Sequence, residues 1–275
     1  MSSQQAKAEQ FRKLHERPGA FVIPNPWDAG TAIILASLGF EALATTSAGL
    51  AFALGLRDSG GLTRDAALAN VKAIAGATAL PVSADLENCY ADAPEEAART
   101  LVLAAEAGAV GGSIEDASGN PAAPIYDFGL AVERVAAAAE AVRRLPFPFT
   151  LTARAENFLK GRTDLDDTIR RLQAFERAGA DVLYAPGLPD IEAIRTVCQA
   201  VTKPVNVLAG ARQTHSVAEL AEAGARRISV GSALNLAALG AFLRGARELK
   251  DTGTVEFLRD AVPYAQIQAL MPKSG

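Results

Sequence analysis

The sequence predicts an α/β fold, a (β/α)₈ barrel formed as a single domain over residues 1–275. Two observations support this prediction. Four segments share the order helix, glycine, apolar strand, with the glycine at Gly39, Gly108, Gly179 and Gly224. A glycine that ends a helix can adopt a positive φ, and repeated seams of this kind are typical of parallel α/β structure. In addition, short apolar runs alternate with helical patterns eight times along the chain.

The predicted strands are short apolar runs, and a helical pattern follows each of them. The strands are expected at Phe21–Pro24, Ala42–Thr46, Val82–Asp85, Gly111–Glu115, Thr150–Arg154, Val182–Ala185, Val205–Leu208 and Ile228–Gly231. The helices are expected at Asp28–Leu38, Thr63–Ala77, Pro94–Ala107, Leu130–Arg144, Leu165–Ala178, Asp190–Ala200, Val217–Ala223 and Ala233–Lys250. Thr63 and Pro94 are residue types that commonly begin helices, and acidic residues follow both of them in the first turn.

Two further helices extend the barrel. One precedes the first strand at Gln4–Glu16, and the other covers roughly Val255–Leu270 at the C-terminus. The main alternative is a doubly wound open sheet, but no Gly-x-Gly-x-x-Gly fingerprint follows the first strand.

The composition excludes several classes of protein. The net charge of −4 and the pI near 5.4 lack the basic footprint of a nucleic-acid binder. The N-terminal residues are polar, and no apolar run is long enough to span a bilayer, so no membrane partner is predicted. The two cysteines, Cys89 and Cys198, do not suggest a disulfide framework. We therefore expect a cytoplasmic protein.

Acidic residues are concentrated where the second, third and fourth strands end. They are Asp58, Asp85, Glu87, Glu115 and Asp116. These strand ends share one mouth of a barrel, where converging carboxylates are costly unless a cation lies among them. An all-oxygen ligand set suits Mg²⁺ or Mn²⁺, whereas zinc is disfavoured because His15 and His215 fall away from the cluster. Asp116 could instead cap the following loop, which favours Glu115 as the metal residue.

Other residues at this mouth are candidates for substrate contacts. Arg154 ends the fifth strand, where it could bind a substrate carboxylate through two parallel hydrogen bonds or pair only with the acids. Residues 117–127 form the longest irregular stretch and are predicted to be a lid. On that lid, Asn120 could bind substrate or shape a turn. Cys89 and Tyr90 are secondary candidates as proton donors, although packing roles are favoured for both.

Several motifs together resemble the isocitrate lyase/phosphoenolpyruvate mutase superfamily. They are Asn25-Pro-Trp-Asp-Ala-Gly, Thr45-Thr-Ser-Ala-Gly-Leu, Gly55-Leu-Arg-Asp-Ser, Val82-Ser-Ala-Asp-Leu-Glu-Asn, Ser113-Ile-Glu-Asp and Thr152-Ala-Arg-Ala-Glu. They occur in the family's order and span the chain from Phe21 to the eighth unit. The resemblance implies a Mg²⁺-dependent barrel that cleaves or forms a C–C or P–C bond next to a 2-oxo acid.

The resemblance also implies roles for individual residues. Asp85 would touch the metal directly, and Asp58, Glu87 and Glu115 would hold its water ligands. The backbone and hydroxyl groups of Thr46, Ser47 and Ala48 would bind the carboxylate end of the substrate, and Arg154 would contact the substrate as well. Family members also exchange the C-terminal helix between subunits, which implies a homo-oligomer, either a dimer or a tetramer.

The sequence departs from the family at its lid. Family lyases carry Lys-Lys-Cys-Gly-His there, whereas residues 117–127 contain no Lys, Cys or His. Glu87 replaces an aspartate, and Cys89-Tyr90-Ala91 stands in place of Gly-Tyr-Gly. We therefore predict a lyase for a small 2-oxo or 2-hydroxy acid that acts through a metal-stabilised enolate, with poor isocitrate cleavage. Oxaloacetate decarboxylation and non-catalytic binding of a 2-oxo acid are the alternatives.

Overall fold

The computed structural model describes residues 3–210 and 215–272. Its centre is a ring of eight parallel strands. They are β1 (Phe21–Ile23), β2 (Leu43–Ala44), β3 (Val82–Ala84), β4 (Gly111–Glu115), β5 (Thr150–Arg154), β6 (Val182–Tyr184), β7 (Val205–Leu208) and β8 (Arg227–Ser229). The order in the sheet is β1-β8-β7-β6-β5-β4-β3-β2, so every neighbouring pair except β2 and β1 forms a regular ladder. The backbone N–H of Ala44 donates to the carbonyl of Pro24 at 3.1 Å across that last gap. The predicted (β/α)₈ barrel is confirmed.

Helices surround the strands. They are α1 (Gln4–Glu16), α2 (Ala29–Ser37), α3 (Ser47–Ala53), α4 (Arg64–Ala77), α5 (Pro94–Glu106), α6 (Phe128–Arg143), α7 (Leu165–Ala178), α8 (Ile191–Ala200), α9 (Val217–Glu222), α10 (Ala233–Asp251) and α11 (Tyr264–Leu270), with a 3₁₀ helix at Glu256–Asp260. None of the helices in the described part of the chain is both long and apolar enough to cross a membrane. The predicted cap glycines Gly39, Gly108, Gly179 and Gly224 all have a positive φ.

The amino-terminal end of the barrel is covered by α1. Phe11 is fully buried and packs against the backbone of Gly111 at the start of β4, where an added Cβ would lie 2.8 Å from its ring. The His15 ring lies edge-on to those of Phe11 and Phe21, with centroids 4.7 and 5.0 Å apart. The predicted helix Gln4–Glu16 therefore has a definite function in the fold, which is to fill the base of the barrel with aromatic rings.

Two helical elements differ from the expectation. The helix α3 follows β2 and was not predicted; Thr46 is its N-cap, and the Thr46 hydroxyl accepts a hydrogen bond from the Gly49 N–H at 3.2 Å. The helix predicted at roughly Val255–Leu270 is wrong as a single element. Pro263 divides this stretch into the 3₁₀ helix and α11, because proline has no N–H to continue a helix and disfavours the helical conformation of the residue before it.

The predicted lid, residues 117–127, has an anchored base. Ala117 and Ile125 form an antiparallel bridge, and the Tyr126 N–H donates to the Asp116 carbonyl at 2.8 Å. The Tyr126 hydroxyl donates to Asp92 at 2.5 Å. The tip of the loop is exposed. Motion of this segment on ligand binding stays a prediction.

Candidate active site

A cavity of about 190 Å³ opens at the carboxyl ends of the strands. Its polar lining comes from all eight strands or the loops that follow them. These residues are Asn25, Thr45, Thr46, Ser47, Asp58, Ser83, Asp85, Ser113, Arg154, Tyr184, Asn206, Arg227, Ser229 and Ser232. Ala48 also lines the cavity. Five residues that were predicted to form the site, Thr46, Ser47, Ala48, Asp58 and Asp85, therefore share one cavity with Arg154.

Arg154 lies at the centre of a group of carboxylates. Its Nη1 is 2.9 Å from an oxygen of Asp85, and its Nη2 is 3.2 Å from Glu115 and 2.8 Å from Glu156. Burial alone would lower the pKa of Arg154, but the three carboxylates raise it well above its usual value. The guanidinium carbon lies 4.9 Å from the centroid of the Tyr184 ring. Arg154 is thus a fixed cation whose hydrogen-bonding capacity is used largely by protein carboxylates.

Two groups from the β2 segment hold Asp85 in place. The backbone N–H of Ser47 donates to the Asp85 carboxylate at 2.9 Å, and the Thr45 hydroxyl accepts from the Asp85 N–H at 2.8 Å. Ser113 Oγ is 3.5 Å from the same carboxylate. Because its donors come from β2, β4 and β5, Asp85 has one orientation at the point where these strands meet.

The loop after β3 is strained next to Asp85. Glu87, Cys89 and Tyr90 all have φ between 50° and 61°, a region that non-glycine residues adopt at a cost of about 1–3 kcal/mol each. Buried Arg134 holds this loop by donating to the carbonyls of Asn88, Ala91 and Asp92 at 2.5 Å. This strain, maintained by a buried cation, is typical of a functional site.

Glu87 carries an oxygen without a partner. Its Oε1 is buried and has no hydrogen-bond partner among residues 3–210 and 215–272. Burial, and then the charges of Asp85 and Asp58, raise the pKa of Glu87 to about 7. Burial also raises the pKa of Glu115, and Arg154 only partly opposes this effect. Both shifts show that the charged forms of Glu87 and Glu115 are disfavoured here, although Arg154 lies close by.

The donor set fits Mg²⁺ held largely through water. The acceptors are carboxylate oxygens, and the unpartnered Oε1 of Glu87 is available to accept from a metal-bound water. In the described part of the chain, no three His, Cys, Asp or Glu side chains form a ready-made metal cage. Mg²⁺ usually keeps several waters and binds only one or two carboxylates directly, which suits Asp85 as the direct ligand. Asp85 and Glu115 are brought together as predicted, and Arg154 forms an ion pair with each of them.

Asp116 belongs to a separate ion-pair network. Its two oxygens accept from the Glu156 N–H at 2.8 Å and from Arg171 Nη1 at 3.0 Å. Arg171 also pairs with Asp167 at 3.0 Å. Asp116 is thus fixed in a structural role, and Glu115 is the member of this acidic pair that contacts Arg154.

Besides Glu87 and Glu115, three predicted candidates do not line the cavity. Asn120 is exposed on the lid, where its side-chain oxygen accepts from the Ala122 N–H at 3.0 Å in a turn. Cys89 is fully buried, and burial raises the pKa of its thiol to about 12. The Tyr90 hydroxyl is buried without a partner, and burial raises its pKa as well. Neither Cys89 nor Tyr90 is placed as an acid toward the cavity.

Comparison with known proteins identifies the family. The family model for phosphoenolpyruvate phosphomutase matches residues 11–250. The chain belongs to this family. A candidate lyase/mutase from Burkholderia cenocepacia is 59% identical, with a TM-score of 0.95 over 97% of this chain and 95% of that chain. 2,3-Dimethylmalate lyase, a member of the PEP mutase/isocitrate lyase superfamily, is 27% identical, with a TM-score of 0.87 over 98% and 95%. The predicted superfamily is confirmed.

Two other proteins are similar to this chain, one in sequence and one in fold. Oxaloacetate decarboxylase from Bradyrhizobium diazoefficiens is 31% identical over 75% of this chain and 72% of its own length. Phosphonopyruvate hydrolase, with the same fold and a TM-score of 0.86 over 96% and 94%, is 20% identical; that enzyme has been solved with oxalate and Mg²⁺. Lyases and mutases are thus the enzymes to which this chain is similar.

Two charged residues at the site were not predicted from the sequence. Glu156 makes the shortest contact with Arg154, at 2.8 Å. Arg227, at the start of β8, also lines the cavity. Its sequence signal is an arginine at the edge of an apolar strand, directly before Ile228.

Proposed function

We propose that this protein is a Mg²⁺-dependent lyase that breaks a C–C bond next to the carbonyl or hydroxyl of a small 2-oxo or 2-hydroxy acid. The observation that carries the proposal is the group of carboxylates around Arg154, since both Arg154 and its partner Asp85 line the cavity at the carboxyl ends of the strands. Such a concave site with convergent, perturbed titratable groups is typical of an active site. Membership of a family of lyases and mutases supports the same conclusion.

The carboxylates would hold the metal in two ways, directly and through water. Asp85 would hold Mg²⁺ directly, and Asp58, Glu87 and Glu115 would hold its water ligands. When bound, Mg²⁺ would supply Lewis-acid stabilisation of the negative charge that develops on the substrate. Mn²⁺ could replace it, because both ions prefer oxygen ligands.

The remaining side chains would bind and orient the substrate. Thr46, Ser47 and Ala48 line the cavity beside Asp85, so their backbone and hydroxyl groups could bind the carboxylate end of the acid. Arg154 would complete the substrate contacts and also fix Asp85 through its 2.9 Å bond. Asp58, which lines the cavity at the mouth, would position the water-held metal for turnover. Asn120 would reach the substrate only if the lid closes.

A second candidate reaction is oxaloacetate decarboxylation. Two observations favour it: the similarity to a curated oxaloacetate decarboxylase, and the lack of Lys, Cys and His over residues 117–127. In this reaction the bond between the departing carboxylate and its neighbouring carbon breaks, and the electron pair stays on that carbon as CO₂ leaves. No acid is needed before that step, because the carbon takes up a proton afterwards.

A turnover screen tests both candidates. Purified protein is incubated with oxaloacetate, 2-methylisocitrate, 2,3-dimethylmalate or isocitrate, with Mg²⁺ or with a chelator, and products are followed by NMR. Reactions with Asp85→Ala protein and with Mg²⁺ alone correct for metal-promoted oxaloacetate breakdown. We expect product from a small acid only with Mg²⁺, and poor isocitrate cleavage. Saturable binding and thermal stabilisation without product from any acid would identify a binding protein instead.

We also propose a homo-oligomer, a dimer or a tetramer, in the cytoplasm. The C-terminal segment, residues 233–272, has almost no buried residues, and large apolar side chains such as Leu236, Phe242 and Tyr264 are exposed on it. An exposed apolar surface of this kind usually marks an interface. Both cysteines are free, which suits a reducing compartment.

A further inference from the structure

The cavity contains a second guanidinium group that differs from Arg154 in having no anionic partner. Arg227 begins β8, is 5% exposed and lines the same cavity as Asp85. Its Nε donates to the Asn206 side-chain oxygen at 2.8 Å, and its Nη2 donates to the Thr152 hydroxyl at 3.0 Å. These contacts reach from β8 to β7 and across the barrel to β5. The guanidinium therefore lies in the barrel interior.

The third nitrogen of Arg227 has no partner. Nη1 is buried without a hydrogen-bond acceptor, and no Asp or Glu oxygen in residues 3–210 and 215–272 forms an ion pair with this guanidinium. Both side chains that it contacts are neutral. A buried cation without a counter-ion destabilises the fold, so its presence favours a functional role for Arg227.

Neighbouring groups increase this electrostatic cost. Burial, followed by the positive charge of Arg154, lowers the pKa of Arg227 to about 10, so Arg227 stays charged at neutral pH. Burial and the charge of Arg227 lower the pKa of His15 to about 3, so His15 is neutral beneath it. Tyr184 also faces this region, and burial raises its pKa to about 12, so it too is neutral. Within residues 3–210 and 215–272, no carboxylate forms an ion pair that would neutralise Arg227.

The interior around Arg227 is built from polar side chains. In most barrels of this class, bulky aliphatic side chains fill this space. Here Thr152, Asn206 and Ser229 occupy it, and the Asn206 amide donates to the Ser229 hydroxyl at 3.0 Å. These polar side chains form the floor of the cavity. Asn206, Ser229 and Asp85 all belong to the lining of that cavity.

We propose that Arg227 is an anion-binding residue on the floor of the cavity that takes the carboxylate of a small dicarboxylic acid remote from the metal. The assignment rests on the proposed function for the other end of the acid, but the site itself does not require turnover. The proposal also separates the roles of the two arginines. Arg154, which pairs with three carboxylates, mainly holds the metal-binding residues in place. Arg227, which has no ion-pair partner among the described residues, supplies the positive charge for the substrate. Monocarboxylic acids of equal length would bind without this contact.

Calorimetric titration with two matched probes tests the assignment. Succinate and butyrate have the same carbon chain, and only succinate carries a second carboxylate. In the presence of Mg²⁺ we expect wild-type protein to bind succinate about 10- to 100-fold more tightly than butyrate, the range for one charged hydrogen bond. Equal affinities for the two acids would overturn the proposal without recourse to any variant.

Variants at Arg227 and Arg226 then show which residue causes the preference for succinate. Arg227→Met keeps the length of the side chain and removes its charge, so succinate affinity should fall to that of butyrate while butyrate affinity stays unchanged. Arg226→Met is the matched control, because Arg226 is the exposed neighbour on the same segment and should leave both affinities unaltered. If Arg227→Met does not fold, Arg227→Lys retains a charge with fewer donors and should lose part of the preference. A folded Arg227→Met protein that keeps the succinate preference would overturn the proposal.

The outcome for the proposed lyase activity is separate. A succinate preference that depends on Arg227, in a protein that turns over no acid, would support this site and refute the lyase. Turnover of oxaloacetate with an unchanged KM in Arg227→Met would refute this site and leave the lyase in place.

Discussion

The two halves of the cavity differ in charge. The half formed by β2 to β5 contributes Asp58 and Asp85, with Glu115 and Glu156 behind them, around a single cation, Arg154. The half formed by β6 to β8 contributes a tyrosine, an asparagine, serines and Arg227, and none of the described residues that line it is acidic. One end therefore attracts a cation and the other an anion. A substrate that carries a carboxylate away from its metal-binding end would match both ends at once.

Removal of Arg154 should produce the largest change on the acidic half. Arg154→Ala leaves Asp85, Glu115 and Glu156 close together without a counter-ion, and breaking buried ion pairs costs about 3–5 kcal/mol. Urea unfolding without metal should show this loss of free energy of unfolding, and Mg²⁺ should restore part of it. Arg226→Ala is the control and should change stability by no more than about 0.5 kcal/mol. An Arg154→Ala protein as stable as wild type would show that the carboxylates do not repel one another.

Asp85 tests whether the acidic half holds a metal. Mg²⁺ at about 100 times its Kd should stabilise the wild type by about 2.7 kcal/mol and raise its melting temperature. Asp85→Ala should abolish this response, because the direct ligand is lost. Glu133→Gln removes an exposed charge on α6 and should respond as wild type does. A normal metal response in Asp85→Ala would remove Asp85 from the metal site.

Substitution of Asp58 tests whether the acidic half also holds the metal through its water ligands, in addition to the direct ligand Asp85. Residues that hold metal-bound water usually contribute about 10- to 100-fold to affinity or activity, so Asp58→Ala should lower turnover by that factor. Because Asp58 lies at the exposed rim, the melting temperature of the metal-free variant should match that of wild type. Steady-state kinetics at saturating Mg²⁺, together with a thermal melt, check both expectations. Undiminished turnover would leave Asp58 with no role beyond shaping its loop.

The lid extends the comparison, because it follows β4 on the acidic half. Its base is anchored by Tyr126, but its tip is exposed and makes few contacts beyond its own turn. Oxaloacetate or succinate with Mg²⁺ should slow proteolysis at residues 117–127 severalfold, since a closed lid is less accessible. Cleavage is followed by mass spectrometry, with Mg²⁺ alone as the control. Identical cleavage rates with and without the acid would argue against lid closure.

The half with Arg227 leads into α10, on which large apolar side chains such as Leu236 and Phe242 are exposed. Assembly should cover them, so light scattering should give two or four times the monomer mass of 28.6 kDa. Phe242→Glu and Leu243→Glu together should shift the protein toward smaller species, whereas Glu133→Gln should not. A monomeric wild-type mass would show that this surface serves another purpose.

The sequence alone determined the barrel and the position of the acidic half. Positive φ at Gly39 and Gly179 and the parallel order of the strands follow from a local helix–glycine–strand pattern that occurs four times along the chain. Asp85 and Glu115 come together because strand ends in such a fold share one mouth. Both features could be predicted from one sequence, because they depend only on the periodicity of apolar residues and on the direction of the strands.

Only the tertiary structure decided how the charges are paired. Arg154 could have been free for substrate or taken by protein carboxylates, and only packing of β3, β4 and β5 shows three acids around it. In the sequence, Arg227 follows Arg226 directly before an apolar strand, and no local pattern distinguishes the two arginines. The role of Arg227 depends on its partners on the neighbouring strand β7 and, across the barrel, on β5, neither of which supplies an acid to Arg227 in the described part of the chain. Long-range pairing leaves no local pattern, because residues such as Thr152 and Arg227 are 75 positions apart in the chain.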